Sequence, residues 1–120
     1  MEFLGIIDKV LTESGIEHEF QRMKKKSSTY CVSNYQEVGM TVENGMQEFM
    51  LYIDIYSTGT QLEIEKVKEK IKQLFSEYTI ITENGTGIAI TYENAIPVPI
   101  DTADYKQIQV NLNVKEWSVN

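Results

Sequence analysis

Between residues 47 and 57 the apolar positions recur at every second place. Phe49, Leu51, Ile53 and Ile55 fall on one side, and Met50, Tyr52, Asp54 and Tyr56 fall on the other. That period is the period of a β-strand, so one row is expected to be buried and the other to be wetter. After Ser57-Thr58-Gly59-Thr60 the period changes. Ile64, Val67, Ile71, Leu74 and Phe75 recur at helical spacing and form one apolar stripe on a helix over 61–75. Thr60 followed by Glu63 has the form of a capping box, in which the hydroxyl takes an orphan amide of the first turn and the glutamate reaches back. A strand that feeds, through four residues, a helix with one apolar face predicts a helix lying on a sheet.

The same reading extends along the chain. Phe3, Ile6, Ile7, Val10 and Leu11 predict a helix over 2–14, with Gly15 placed as its C-terminal cap. Residues 16–23 alternate weakly and read as a strand, at an edge given its charges. Residues 29–35 (TYCVSNY) read as its hairpin partner across the polar connection Lys24-Lys25-Lys26-Ser27-Ser28. Residues 36–46, broken by Gly39 and Asn44-Gly45, are either a mobile arm or a strand extension around 40–42. YTIIT (78–82) and IAITY (88–92) flank Asn84-Gly85, a strong hairpin signal because tight hairpin turns need positive φ. Residues 94–103 hold both prolines and read as an extended surface connection rather than a central strand. The closing segment YKQIQVNLNVKEW alternates strictly, with Ile108, Val110, Leu112 and Val114 against Gln107, Gln109, Asn111, Asn113 and Lys115. The order α-β-β-β-α-β-β-β, without βα repetition, predicts an α+β fold. We expect a two-layer sandwich with a mainly antiparallel sheet of about six strands and two helices on one face.

Length and composition narrow the possibilities. At 120 residues, with 42% apolar and 24% charged side chains, the chain is expected to be one ordered domain over 1–120. A net charge of −7 argues against non-specific nucleic-acid binding, which needs a cationic surface. Cys31 is the only cysteine, so no intrachain disulfide forms and a reducing compartment fits. Glu2 stands where a signal peptide would be cationic, and no apolar run approaches the ~20 residues needed to cross a bilayer, so a cytosolic origin is expected.

Candidate chemistry is sparse. His18 is the only histidine, and HxxH, CxxC and HExxH are absent, so a metal or cofactor site is not expected. Cys31 lies mid-strand and reads as a small core residue rather than a nucleophile. Gly85-Thr86-Gly87 precedes a strand and not a helix, which is the wrong context for a phosphate cradle. Asp101 and Asp104 read as solvated loop acids. Arg22, Lys24, Lys25 and Lys26 form the strongest cationic patch, suited to a charge-complementary protein contact or to plain solvation rather than to nucleic acid. The outer face of the second helix, with Glu63, Lys66, Lys68, Glu69, Lys70 and Lys72, is a solvated face that needs no site to explain it. The second sheet face is less ordinary. Tyr52, Tyr56, Gln107, Gln109, Asn111 and Asn113 combine aromatic rings with uncharged amides, a composition suited to meeting another protein as well as to solvation.

Three stretches carry a resemblance: TYCVSNYQEVG, then LYIDIYSTGT leading into IEKVKEKIKQLF, then YKQIQVNLNVKEW. In order and spacing the chain resembles the small tail-completion proteins of long-tailed bacteriophages, the tail terminator and head–tail joining group encoded by prophages of Gram-positive bacteria. The motifs are patterns of packing residues and not catalytic signatures. The resemblance implies a non-enzymatic structural protein, without cofactor, that caps the end of the tail tube and presents a surface to the head connector. It also implies a six-fold ring, made in the bacterial host cytoplasm and resident at the head–tail junction of the virion. Contacts to the tail tube protein, the neck and neighbouring subunits would then involve Arg22, Lys24, Lys25 and Lys26, the 36–46 segment with Met40, and the sheet face with Tyr52, Tyr56, Gln107, Gln109 and Asn111. The prolines of AIPVPID are not matched to the family pattern, so another phage neck or minor tail protein stays open. Two other classes are a cytosolic regulatory domain that holds a small ligand in the helix–sheet crevice, and an enzyme built on His18 or Cys31.

Overall fold

The computed structural model describes residues 2–20, 29–38, 45–99 and 106–119. The elements run α1 (Phe3–Glu13), β1 (His18–Phe20), β2 (Thr29–Glu37), β3 (Gln47–Ser57), α2 (Gln61–Phe75), β4 (Glu77–Ile81), β5 (Thr86–Val98) and β6 (Lys106–Ser118). The strands form one six-stranded sheet in the order β1-β2-β3-β6-β5-β4, antiparallel at every pair except β1 and β2. This is the α+β fold expected from the element order.

β3 is the axis of the sheet. It pairs with β2 on one side, Cys31 opposite Ile55, and with β6 on the other, Leu51 opposite Leu112 and Ile53 opposite Val110. Register therefore places the apolar rows of three strands side by side. Phe49, Leu51, Ile53, Ile55, Ile108, Val110, Leu112 and Val114 are all buried and join one cluster with Phe3, Ile7 and Leu11 of α1 and Ile64, Ile71 and Phe75 of α2. Phe3 meets Phe49 with ring centroids 4.8 Å apart and Tyr35 edge-on at 6.0 Å.

The helix ends follow local chemistry. Thr60 caps α2, its hydroxyl accepting from the Glu63 amide at 3.2 Å. At the end of α1, Gly15 takes φ +77°, while its amide donates to Thr12 O and that of Ile16 donates to Leu11 O. This pair of bonds is a Schellman closure, and the left-handed residue it needs is the expected glycine. The start of α1 has no cap from its own side chains. The Phe3 amide donates instead to the Glu116 carboxylate of β6 at 3.3 Å, which favours the positive end of the helix dipole.

Two expectations are corrected. Residues 18–20 and 29–37 do not form a hairpin: β1 runs parallel to β2, with His18 opposite Cys31 and Phe20 opposite Ser33. Alternation reports which side chains share a face and is silent on strand direction. Direction is set here by the entry from α1, where Ile16 is buried and the Cys31 amide donates to Glu17 O at 2.8 Å. β1 is an edge strand, as its charges suggest. The second correction concerns the prolines. Residues 94–98 are not a connection but the second half of β5, paired with β6 from Asn94 opposite Asn111 to Val98 opposite Gln107. β4 covers β5 only from Gly87 to Thr91, so among the described residues Pro97 lies where β5 has one neighbour, and an edge tolerates a missing donor.

An extra residue at Glu93 shifts the register of β5 between Tyr92 and Asn94. The bulge exchanges the parity of the strand. Ile88, Ile90 and Tyr92 pack on the core before it, and Ala95 does so after it. The β4–β5 turn closes as a three-residue loop, Glu83-Asn84-Gly85, with the Thr82 amide donating to Thr86 O and Gly85 at φ +79°. Of the 36–46 segment, Gln36 and Glu37 continue β2, and 39–44 lie outside the described residues.

Candidate functional site: the polar face of the sheet

Every second residue of β3 leaves the core side, and those residues are only partly buried. Register sets them against the amide row of β6: Tyr56 opposite Gln107, Asp54 opposite Gln109, Tyr52 opposite Asn111 and Met50 opposite Asn113. Five residues singled out from sequence, Tyr52, Tyr56, Gln107, Gln109 and Asn111, are thus brought together on one face. Arg22, Lys24, Lys25, Lys26 and Met40 lie outside the described residues.

Two carboxylates organise this face. Asp54 Oδ1 accepts from Gln107 Nε2 at 3.1 Å and from Gln109 Nε2 at 3.2 Å. Glu48 Oε2 accepts from Asn113 Nδ2 at 2.6 Å. An ionised carboxylate can only accept, so the amide nitrogens of Gln107, Gln109 and Asn113 turn toward it, and each amide keeps its carbonyl oxygen and its second N–H. Asn111 Nδ2 donates to Asn94 Oδ1 at 2.6 Å, and Tyr52 donates its hydroxyl to Gln36 at 3.2 Å. Each of these amides thus gives one hydrogen to a neighbour within the face, and Lys115 stands on the same row opposite Glu48.

At one end of the face Tyr30 and Tyr56 stack, centroids 5.4 Å apart and planes 22° apart, and Tyr30 is buried. Burial, with Asp54 nearby, pushes the Tyr56 hydroxyl above its ordinary pKa, so it stays neutral. At the other end the Trp117 indole lies against Gly87, where an added Cβ would come within 2.2 Å of the ring. Ile81 and Ile96, 62% and 49% exposed, lie on the same side by register, opposite Gly87 and Gln109.

Sequence reasoning missed the organising groups Asp54, Glu48 and Asn94. The available signal was the single charge between Ile53 and Ile55, on the row it shares with Met50, Tyr52 and Tyr56. Its partners lie 53 and 55 residues away, so nothing local joins them. A second arrangement was also missed. His18 Nδ1 lies 3.0 Å from Asp8 Oδ1, and its Nε2 lies 2.6 Å from Ser33 Oγ. The order of groups resembles an acid–base–nucleophile chain, but Ser33 is fully buried beneath the sheet. The chain of bonds ties α1 to β1 and β2, and a nucleophile there has no path to a substrate.

Cys31 is 1% exposed, and burial, helped by Asp54, pushes its thiol up to about 12, far from a reactive thiolate. Among the described residues no group of three His, Cys, Asp or Glu side chains is placed to hold a metal ion, and no helix is long and apolar enough to cross a membrane. A shallow depression lined by Leu62, Lys66, Lys70 and Gln73 lies on the outer surface of α2, not in the helix–sheet crevice. Compared with known proteins, the chain matches no family model and no curated protein.

Proposed function

We propose that this chain is a virion-assembly protein of a long-tailed phage, one that caps the tail tube and joins the tail to the head connector. Residence at the head–tail junction, contact with the tail tube and neck proteins, and assembly into a ring are parts of the same reading. The observation that carries it is the polar face of the sheet. A surface whose side chains are already hydrogen-bonded to one another loses little rotamer freedom when a partner covers it. Its stacked tyrosines and tryptophan are residue types enriched in the centre of protein interfaces. The three stretches that resemble the tail-completion group also bear on this face, since TYCVSNYQEVG, LYIDIYSTGT and YKQIQVNLNVKEW supply β2, β3 and β6.

The test is deletion of the gene from the genome that carries it, induction, and negative-stain microscopy of the lysate. Filled heads separate from tails, with tails of abnormal length, are the expected result. Normal joined virions would overturn the reading, as would a source with no phage genes around this one.

A further inference from the structure

His18 is wedged where α1 meets the sheet. Its side chain is 0% exposed, with Nδ1 3.0 Å from the Asp8 carboxylate of α1 and Nε2 2.6 Å from the hydroxyl of Ser33 on β2. An ionised Asp8 can only accept, so Nδ1 carries the ring proton and donates to it, and Nε2 is left to accept the Ser33 hydrogen. A second proton on the ring ends that arrangement. Nε2 becomes a donor, and Ser33, itself wholly buried, must turn its own hydrogen elsewhere. Among the described residues, the charged groups acting on the ring are Asp8 from α1 and Glu19 from β1. Burial disfavours the charged ring and outweighs the support of these two carboxylates. From β2 come Ser33 and, opposite His18 in register, the Cys31 thiol, which is neutral.

The elements joined by this ring are also the ones most easily parted from the rest. β1 has three residues, lies at the edge and runs parallel to β2, a pairing slightly weaker per residue than the antiparallel one. α1 has no side-chain cap of its own and sets three buried residues, Phe3, Ile7 and Leu11, on the core. Without these two elements, β2-β3-β6-β5-β4 is still a continuous antiparallel sheet, and α2 still packs on its core side. We propose that α1 and β1 form a latch that acid releases. Protonation of His18 between Asp8 and Ser33 lets both elements leave together, while α2 and the five antiparallel strands stay folded. Release uncovers Cys31 and frees one edge of the nine-residue strand β2, whose unpaired backbone groups are a template for another strand. The coupling is bounded. A single proton favours the released form by up to about tenfold per pH unit below the ordinary histidine pKa of 6.5. The released form therefore stays a minority, as in other sub-global openings. The latch lies on the core side, apart from the polar face, and stands whether or not the chain assembles into a virion.

The experiment measures how fast dithiodipyridine labels Cys31, the only cysteine, in the full chain at pH 7.5 and 5.5. Each rate is divided by that of the urea-unfolded chain at the same pH, which removes the reagent's own pH dependence. The ratio should rise about threefold to tenfold at pH 5.5. Hydrogen exchange, corrected in the same way, should quicken in α1 and β1 and stay slow in α2, β3 and β6. His18→Asn should abolish the rise. Asp8→Asn, at a half-exposed position, should carry the rise toward the tenfold limit, because a carboxylate that favours the charged ring is gone. This second variant decides the matter if the histidine variant does not fold. A ratio unchanged with pH, a rise that persists without His18, or a smaller rise in Asp8→Asn would overturn the inference. So would exchange that quickens equally in β3 and β6, since the whole domain would then be opening.

Discussion

His18 illustrates how one side chain is assigned by its surroundings. Its ring is wholly buried between Asp8 and Ser33, and desolvation lowers its pKa below the ordinary 6.5, opposed in part by Asp8. The unfolded chain therefore takes up this proton at a higher pH than the folded one. The histidine's contribution to stability is full above about pH 6.5 and is lost as the pH falls through that value toward the lower folded pKa. Urea unfolding at pH 7.5 and 5.5 is expected to show a lower midpoint at the acid end, and His18→Asn should flatten that difference. An unchanged midpoint in the parent chain would mean that the ring accepts its proton without loss. Asp54 has a different role from the same kind of origin. A charge placed between Ile53 and Ile55 on the wetter row becomes the acceptor that orients two glutamines.

The secondary elements separate local rules from rules imposed by neighbours. The cap of α2 is local: Thr60 and Glu63 are three residues apart, and the hydroxyl bond forms as their spacing predicts. Thr60→Ala should cost about 1 kcal/mol in chemical denaturation. Pro97 is the contrary case. Read locally, a proline ends a strand, but β5 runs on through it because, among the described residues, only β6 flanks that part of the strand. Pro97→Ala should accordingly change stability by less than about 0.5 kcal/mol. A gain above about 1 kcal/mol would show that the proline interrupts a ladder bond that the sheet wants. Thr60→Ala and Pro97→Ala measured side by side distinguish a residue that makes its element from one that the element tolerates.

For the molecule as a whole, the two faces of the sheet have different consequences. On the core side, the aromatic contact of Phe3 with Phe49 couples the first helix to the central strand, and both rings are buried. Phe49→Ala should cost about 3–5 kcal/mol, a large part of the 5–15 kcal/mol expected for a domain of this kind, and should lower the thermal midpoint markedly. On the polar side, substitutions such as Gln109→Lys should leave the midpoint within a few degrees while changing association. A polar-face change that unfolded the chain would argue that this face serves stability rather than contact.

The two periods of hydrophobicity were enough to place both helices and the long central strands, because burial of alternate or every third-to-fourth residue is written locally in the chain. They also assigned Tyr52, Tyr56, Gln107, Gln109 and Asn111 to a common kind of surface. Pairing was not written there. That β3 lies against β6, that β1 runs parallel to β2, and that Glu93 bulges so that β5 can continue are outcomes of which register buries the most apolar area with every ladder bond made. The hydrogen bonds that turn the amides of Gln107, Gln109 and Asn113 inward follow only from that register, since Asp54 and Glu48 meet them across the sheet and not along the chain. Tertiary structure thus decided the chemistry of the face, whereas local pattern decided which residues would form it.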